Sequence, residues 1–357
     1  MFASPERRLV FDINDFDETL PAPWEWDLKR LVASVEICGR DRGFSDAERN
    51  RAVRTAAEAY RDGMQKYSEM GALDVYYDHM DVEKIYQQNI DRLTSENRRL
   101  IQKTMEKALA KNREKAFGKF TEITADGHVQ IKSDPPLIVP FRDMADSDFT
   151  GLDREGVSEL ISIILKKYRL SLPKERRYII DQYSVRDAAR KVVGVGSVGT
   201  RAWIIVLEGA GIHDSLILQV KEAEKSVLEK YAGDSVFIEH GRRVIEGQRA
   251  IQTAGDILTG WVRFPDNNGQ MQDYYVRQLW DFKGTIDLSK ITAEDLTGYA
   301  GLCGVTLAHA HAKTGNRFSI ASYIGKGDVF IDAMEAFAKA YADQNEADYN
   351  VFLNSLK

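Results

Sequence analysis

A chain of 357 residues with 43% hydrophobic content is long and apolar enough to fill two cores, which excludes disorder as its general state. The formal net charge of −6 argues against a nucleic-acid binder with a broad basic face, and two cysteines, Cys38 and Cys303, are too few for a disulfide framework or a zinc site. No run reaches the roughly 18 apolar residues of a membrane span, and the first residues carry strand pattern where a signal peptide needs an apolar core; a cytoplasmic protein with no membrane partner is expected.

The first element is a short apolar strand, Leu9-Val10-Phe11, that runs into Asp12-Ile13-Asn14-Asp15-Phe16-Asp17-Glu18. Hard divalent cations such as Mg2+ take carboxylate oxygens, commonly one or two alongside substrate phosphates, so Asp15 and Asp17 are candidate metal ligands. If the chain turns after Asp15, only Asp15 need bind; the plain alternative is an acidic loop at a strand end. A helix opens after Pro21-Ala22-Pro23 and runs through Ile37, and Asp27 either caps it or ties down a neighbouring loop. Residues 45–118 read mostly as helices, beginning at the capping-box spacing of Ser45 and Glu48. A hairpin is expected over 120–131 around Asp126-Gly127. Pro135-Pro136 and the polar stretch 143–153 mark the expected boundary region, followed by a helix over 154–168.

The glycine run Gly194-Val195-Gly196-Ser197-Val198-Gly199 carries the most chemistry. In a dinucleotide-binding fold a helix starts at the third glycine, so that its amide end faces the pyrophosphate. Residues 200–207 are instead β-branched and aromatic, which suits a strand. The glycines are therefore expected at a hairpin between strands at 190–193 and 200–208, with a third strand over 215–222 that ends in Leu218-Gln219-Val220-Lys221. A helix follows over 240–251, then strands at 261–264 and 273–279 flanking the turn at Pro265-Asp266-Asn267-Asn268-Gly269. Three strands, a helix and two strands, with a lysine on the third strand, reproduce the order of the small lobe of a protein-kinase-like fold. Glu246, mid-helix, is the expected carboxylate partner of Lys221, and residues 277–283 the hinge against which an adenine ring lies. A simple tight turn at the glycines, a strand-end Lys221 and a solvated Glu246 remain the alternatives. Helices return over 293–313 and 328–356. His309 and His311, two apart, face different directions on a helix and cannot form one metal pair, which leaves His311 a structural hydrogen-bonding role.

Several segments, among them VFDINDFDETLPAPWEWDLKRL, KVVGVGSVGTRAWIIVLEG, VIEGQRAIQTAGDI and DYYVRQLWDFKG, resemble the bacterial family known as domain of unknown function 2252, and the resemblance spans nearly the whole chain. Residues 13–17 with Asp27-Leu28, and residues 307–312, are also similar to segments of aminoglycoside phosphotransferases. This likeness implies an α+β, two-lobed, protein-kinase-like fold in circularly permuted order, a small antiparallel-sheet lobe and a largely helical lobe. The expected division is residues 1–170 and 285–357 for the helical lobe and 171–284 for the nucleotide clamp. It also implies binding of ATP or another purine nucleotide with Mg2+. Gly194, Gly196, Ser197 and Gly199 would lie against the phosphates, Lys221 would pair with them, Glu246 would orient Lys221, and Asp15, with Asp17, would carry the metal. In the family a Gly-Asp-Ala-His stretch that resembles a catalytic loop usually precedes the segment opening this chain. No catalytic residue is therefore assigned, and the two functional expectations are a phosphotransferase acting on a small-molecule acceptor and an inactive nucleotide-binding or interaction module. Oligomeric state is not legible.

Overall fold

The computed structural model describes residues 1–92, 95–144, 154–192, 201–211, 214–265, 270–279, 282, 284 and 286–356. Strands β1 (Phe2–Ala3) and β2 (Leu9–Val10) pair with each other and precede a helical region: α1 (Glu25–Asp41), α2 (Asp46–Glu69), α3 (Ala72–Tyr77), α4 (Val82–Asn89), α5 (Ser95–Leu109) and α6 (Arg113–Phe120). The capping box expected at the start of α2 is formed, with Ser45 and Glu48 exchanging side-chain and backbone bonds. The hairpin expected over 120–131 is also formed, by β3 (Thr121–Ile123) and β4 (Val129–Ile131). After β5 (Ile138–Pro140), α7 (Arg154–Ser171) and α8 (Lys174–Ile180) come β6 (Ser184–Lys191), β7 (Ala202–Glu208), β8 (Ser215–Ala223), α9 (Glu229–Ala232), α10 (His240–Ile251), β9 (Gly260–Pro265) and β10 (Met271–Gln278). Helices α11 (Ala293–Thr314), α12 (Arg317–Ile324) and α13 (Val329–Ser355) complete the chain.

The result is a mixed α/β structure with one large antiparallel sheet, ordered β5-β6-β7-β8-β10-β9 among the described residues, two small two-stranded sheets, and helices. Strand β6 begins at Ser184, well before the expected start at 190, because pairing with β7 hides Ala188 and Ala189 within an otherwise charged run. The helices expected over 45–118 are α2 to α6. Two elements preceding residue 171 belong with the sheet: β5 lies at its edge, and α7 packs Ile161 and Tyr168 against one face.

Alternation along the strands gives the sheet two distinct faces. Leu216, Leu218, Val220, Tyr274 and Val276 point to α7. On the opposite face, Ile204, Val206, Ile217 and Leu279 form a core with Ala116 and Phe120 of α6. Farther along that same face, Ala223 and Tyr275 meet Val244 and Ile245 of α10. The largest helical core joins α1, α2, α11, α12 and α13 around Leu28, Tyr60, Met64, Leu307 and Ile331. Small residues let α2 and α11 approach closely: a Cβ on Gly304 would lie 2.3 Å from the carbonyl oxygen of Ala56.

Candidate functional site

Lys221 sits near the end of β8, with Ala202 of β7 on one side and Tyr275 of β10 on the other in the ladder. It is only 8% exposed, and its Nζ lies 2.9 Å from Oδ2 of Asp17 and 5.4 Å from the centroid of the Tyr275 ring. Burial pushes the Asp17 carboxyl up, but hydrogen bonds from Lys221 and Tyr275 and the charges of Lys221 and Arg277 outweigh it. The net result is a carboxyl held below its ordinary value. Burial raises the Tyr275 phenol, which therefore stays a neutral donor beside Asp17.

The acidic segment reaches Lys221 because α10 holds it there. Arg243, 2% exposed, donates from Nη1 to the carbonyl of Thr19 at 2.7 Å and from Nη2 to those of Asp17 at 2.8 Å and Glu224 at 2.9 Å. At the far end of the helix, Gln252 Nε2 donates to the carbonyl of Ile13 at 2.7 Å, and the Thr253 amide donates to Asp12 Oδ2 at 2.9 Å. Phe16 is buried among Ala223, Val244, Ile245 and Tyr275, so the segment has an apolar anchor between its two polar ones. Gly247 faces it as well: a Cβ there would come within 2.5 Å of the Thr19 side chain.

Asp15 is exposed and has a positive φ of 78°, so the chain does turn at this residue, and its carboxylate lies one residue from the buried Phe16. The carboxylate beside Lys221 is Asp17, not Glu246 as expected. Glu246 lies on α10 with its Oε1 3.5 Å from Arg249 Nη1, while Asp17, presented by the Arg243 clamp, takes the position next to the ammonium. Gly194, Gly196, Ser197 and Gly199 lie outside the described residues. In sequence they fall between β6 and β7, and Ala202, the first residue of β7, is the ladder partner of Lys221.

Arg243 was missed by sequence reasoning, yet one signal points to it. Gly247 is a mid-helix glycine, which marks a close backbone approach, and Arg243 lies one turn before it on the same face. His309, His311 and Asp27, singled out by sequence, make structural contacts, as does Lys313. His311 bonds Tyr60 through Nδ1 at 2.7 Å and Asp27 through Nε2 at 3.2 Å. Asp27 thus ties α1 to α11. His309 Nε2 bonds the carbonyl of Val75 at 2.8 Å. Lys313 donates to the carbonyls of Ile251 at 3.2 Å and Gln252 at 2.8 Å, where a cation complements the C-terminal end of α10.

Lys221 and the Tyr275 phenol share one sheet face, and the segment after β2 brings the Asp17 carboxylate to them. Among the described residues no group of three or more His, Cys, Asp or Glu side chains could hold a metal by itself, so any cation here would need ligands from the bound molecule. No helix among the described residues is long and apolar enough to cross a membrane.

Comparison with known proteins places the chain in one family. The family described as an uncharacterized protein conserved in bacteria (DUF2252) matches residues 1–355, and the chain belongs to it. No curated protein and no solved structure matches the chain.

Proposed function

We propose that this member of the DUF2252 family binds a purine nucleoside triphosphate, ATP or a relative, together with Mg2+, and is a kinase-like phosphotransferase acting on a small molecule. The observation that carries the reading is the contact of Lys221 Nζ with Asp17 Oδ2 at 2.9 Å, at the point where Ala202, the ladder partner of Lys221, opens β7. The chain order β6, β7, β8, α10, β9, β10, with the lysine on the third strand, supports a protein-kinase-like small lobe. The acidic segment preceding that lobe in sequence, yet lying beneath it in space, supports the circularly permuted, two-lobed description.

In this reading Lys221 binds phosphate oxygens, and the glycine segment brings backbone amides to them. The donor set fits Mg2+, since Asp15 is an exposed carboxylate and Asp17 a neighbouring one, and phosphates would complete the shell. When bound, the cation would neutralise charge on the phosphates. Asp17 would then exchange its lysine partner for the metal, and Tyr275 would keep a hydrogen bond to it.

In a second reading the protein binds nucleotide without turnover: Asp17 is paired with Lys221, and among the described residues no side chain is assigned as the base for an acceptor hydroxyl. Calorimetric titration of the protein with ATP in the presence and absence of Mg2+, repeated on Lys221→Ala, tests the shared claim. A product assay against candidate acceptors separates the two readings.

A further inference from the structure

Arg277 lies two residues beyond Tyr275 on β10 and opposite Gln219 of β8, so it shares the sheet face of Lys221. This face is apolar on both sides of that position. Ile217 and Leu279 pack on α6 to one side, and Ala223 and Tyr275 pack on α10 to the other. Between these two cores runs a polar stripe of Lys221, Gln219 and Arg277. Gln219 is 5% exposed, and placing such groups in an apolar face is costly unless each finds a partner.

Two of the three are matched within the protein: Lys221 has Asp17, and Gln219 Oε1 accepts from Arg277 Nε at 3.1 Å. Among the described residues Arg277 uses only that one donor. Among the described residues its Nη1 and Nη2 groups make no hydrogen bond, although a guanidinium carries five N–H donors in a fixed fork. Its guanidinium carbon lies 5.9 Å from the centroid of the same Tyr275 ring that has Lys221 Nζ at 5.4 Å. Two cations thus flank one aromatic ring, and Asp17 is the carboxylate in contact with only one of them.

We propose that Arg277 is a second anion-binding residue beside Lys221, and that the ligand carries at least two adjacent phosphate groups, one taken by Lys221 and the next by the Arg277 fork. The inference rests on the nucleotide reading above and narrows it to di- and triphosphates. A single lysine serves a point charge, whereas a planar fork binds two oxygens of one phosphate, so the two residues are not redundant.

The test is calorimetric titration with ATP, ADP, AMP and inorganic pyrophosphate in the presence of Mg2+, on the wild type and on Arg277→Gln, Arg277→Lys and Lys221→Met, with thermal melts to confirm folding. Arg277→Gln is expected to weaken ATP, ADP and pyrophosphate by about 10-fold or more while changing AMP by less than about 2-fold, with Arg277→Lys intermediate. If Arg277→Gln leaves ADP and ATP unchanged while Lys221→Met abolishes them, the role of Arg277 is overturned and the nucleotide reading stands. An equal loss for AMP also overturns the second-phosphate assignment. If the folded wild type binds none of the four, the nucleotide reading falls and this inference falls with it.

Discussion

Lys221 and Asp17 are 204 positions apart in sequence, yet their charged atoms meet at 2.9 Å on the inner face of the sheet. The meeting depends on Arg243, which grips the backbone of the acidic segment and not its side chains. Asp17 is therefore oriented by main-chain geometry, and its carboxylate is left available to a cation.

Replacing Lys221 by methionine should return the Asp17 carboxyl toward the ordinary range near 4 and cost up to about 1 kcal/mol of stability near neutral pH. The sign follows from the lowered native value: the contribution is full above the ordinary carboxylate range and is lost as pH falls through the depressed native one. Chemical denaturation at a series of pH values should show the gap between wild type and variant constant near neutrality and closing in acid. A gap that widens in acid would contradict the pairing.

Arg243→Met should destabilise the protein by about 3 kcal/mol, because three carbonyls lose their donor inside a packed region. Arg243→Lys should recover part of this, since an ammonium can reach some but not all of the three. Urea unfolding measures both, and equal stability of wild type and Arg243→Met would remove the clamp from the account.

Two glycines of α11 provide an internal comparison. Gly304→Ala should cost about 1–3 kcal/mol, because the new methyl would meet the Ala56 carbonyl of α2 at 2.3 Å. Gly298→Ala, with nothing within 4 Å of the added carbon, should stabilise by up to about 1 kcal/mol through helix propensity. Thermal melts of the two variants should move in opposite directions.

Strands β7 to β10 of the large sheet and the helix α10 among them were legible in sequence because their signals are local, whereas β5 was not expected. β-branched and aromatic runs at 202–208 and 215–223 leave one register that buries them, and the 240–251 segment shows helical spacing. The start of β6 was not legible, since its residues are mostly charged and only partner strands reveal the burial of Ala188 and Ala189. At the candidate site, Lys221, Asp15 and Asp17 were found from residue type and position. The choice of Glu246 as the lysine's partner failed because it rested on order along the chain. Distance in space was decided instead by Arg243 and Gly247, whose contacts with Asp17 and Thr19 lie more than 200 residues away in sequence.

His309 predicts a second pH effect. Burial holds its imidazole below the ordinary value, while the bond to the Val75 carbonyl and the charges of Asp12 and Asp78 only partly oppose this. The unfolded chain therefore takes up a proton first, so stability should fall as pH drops below about 6.5 and stop falling at the lower native value. His309→Gln should remove that slope while retaining a donor to Val75. A slope unchanged in this variant would assign the effect elsewhere.

The most direct test of the central claim is titration of the purified protein with ATP in the presence of Mg2+ by calorimetry, set beside the same titration of Lys221→Met and Asp15→Ala. The account predicts saturable one-site binding in the wild type, loss of affinity in Lys221→Met, and loss of the Mg2+ dependence in Asp15→Ala. Absence of binding in a folded wild type, or binding that Lys221→Met leaves unchanged, would contradict it.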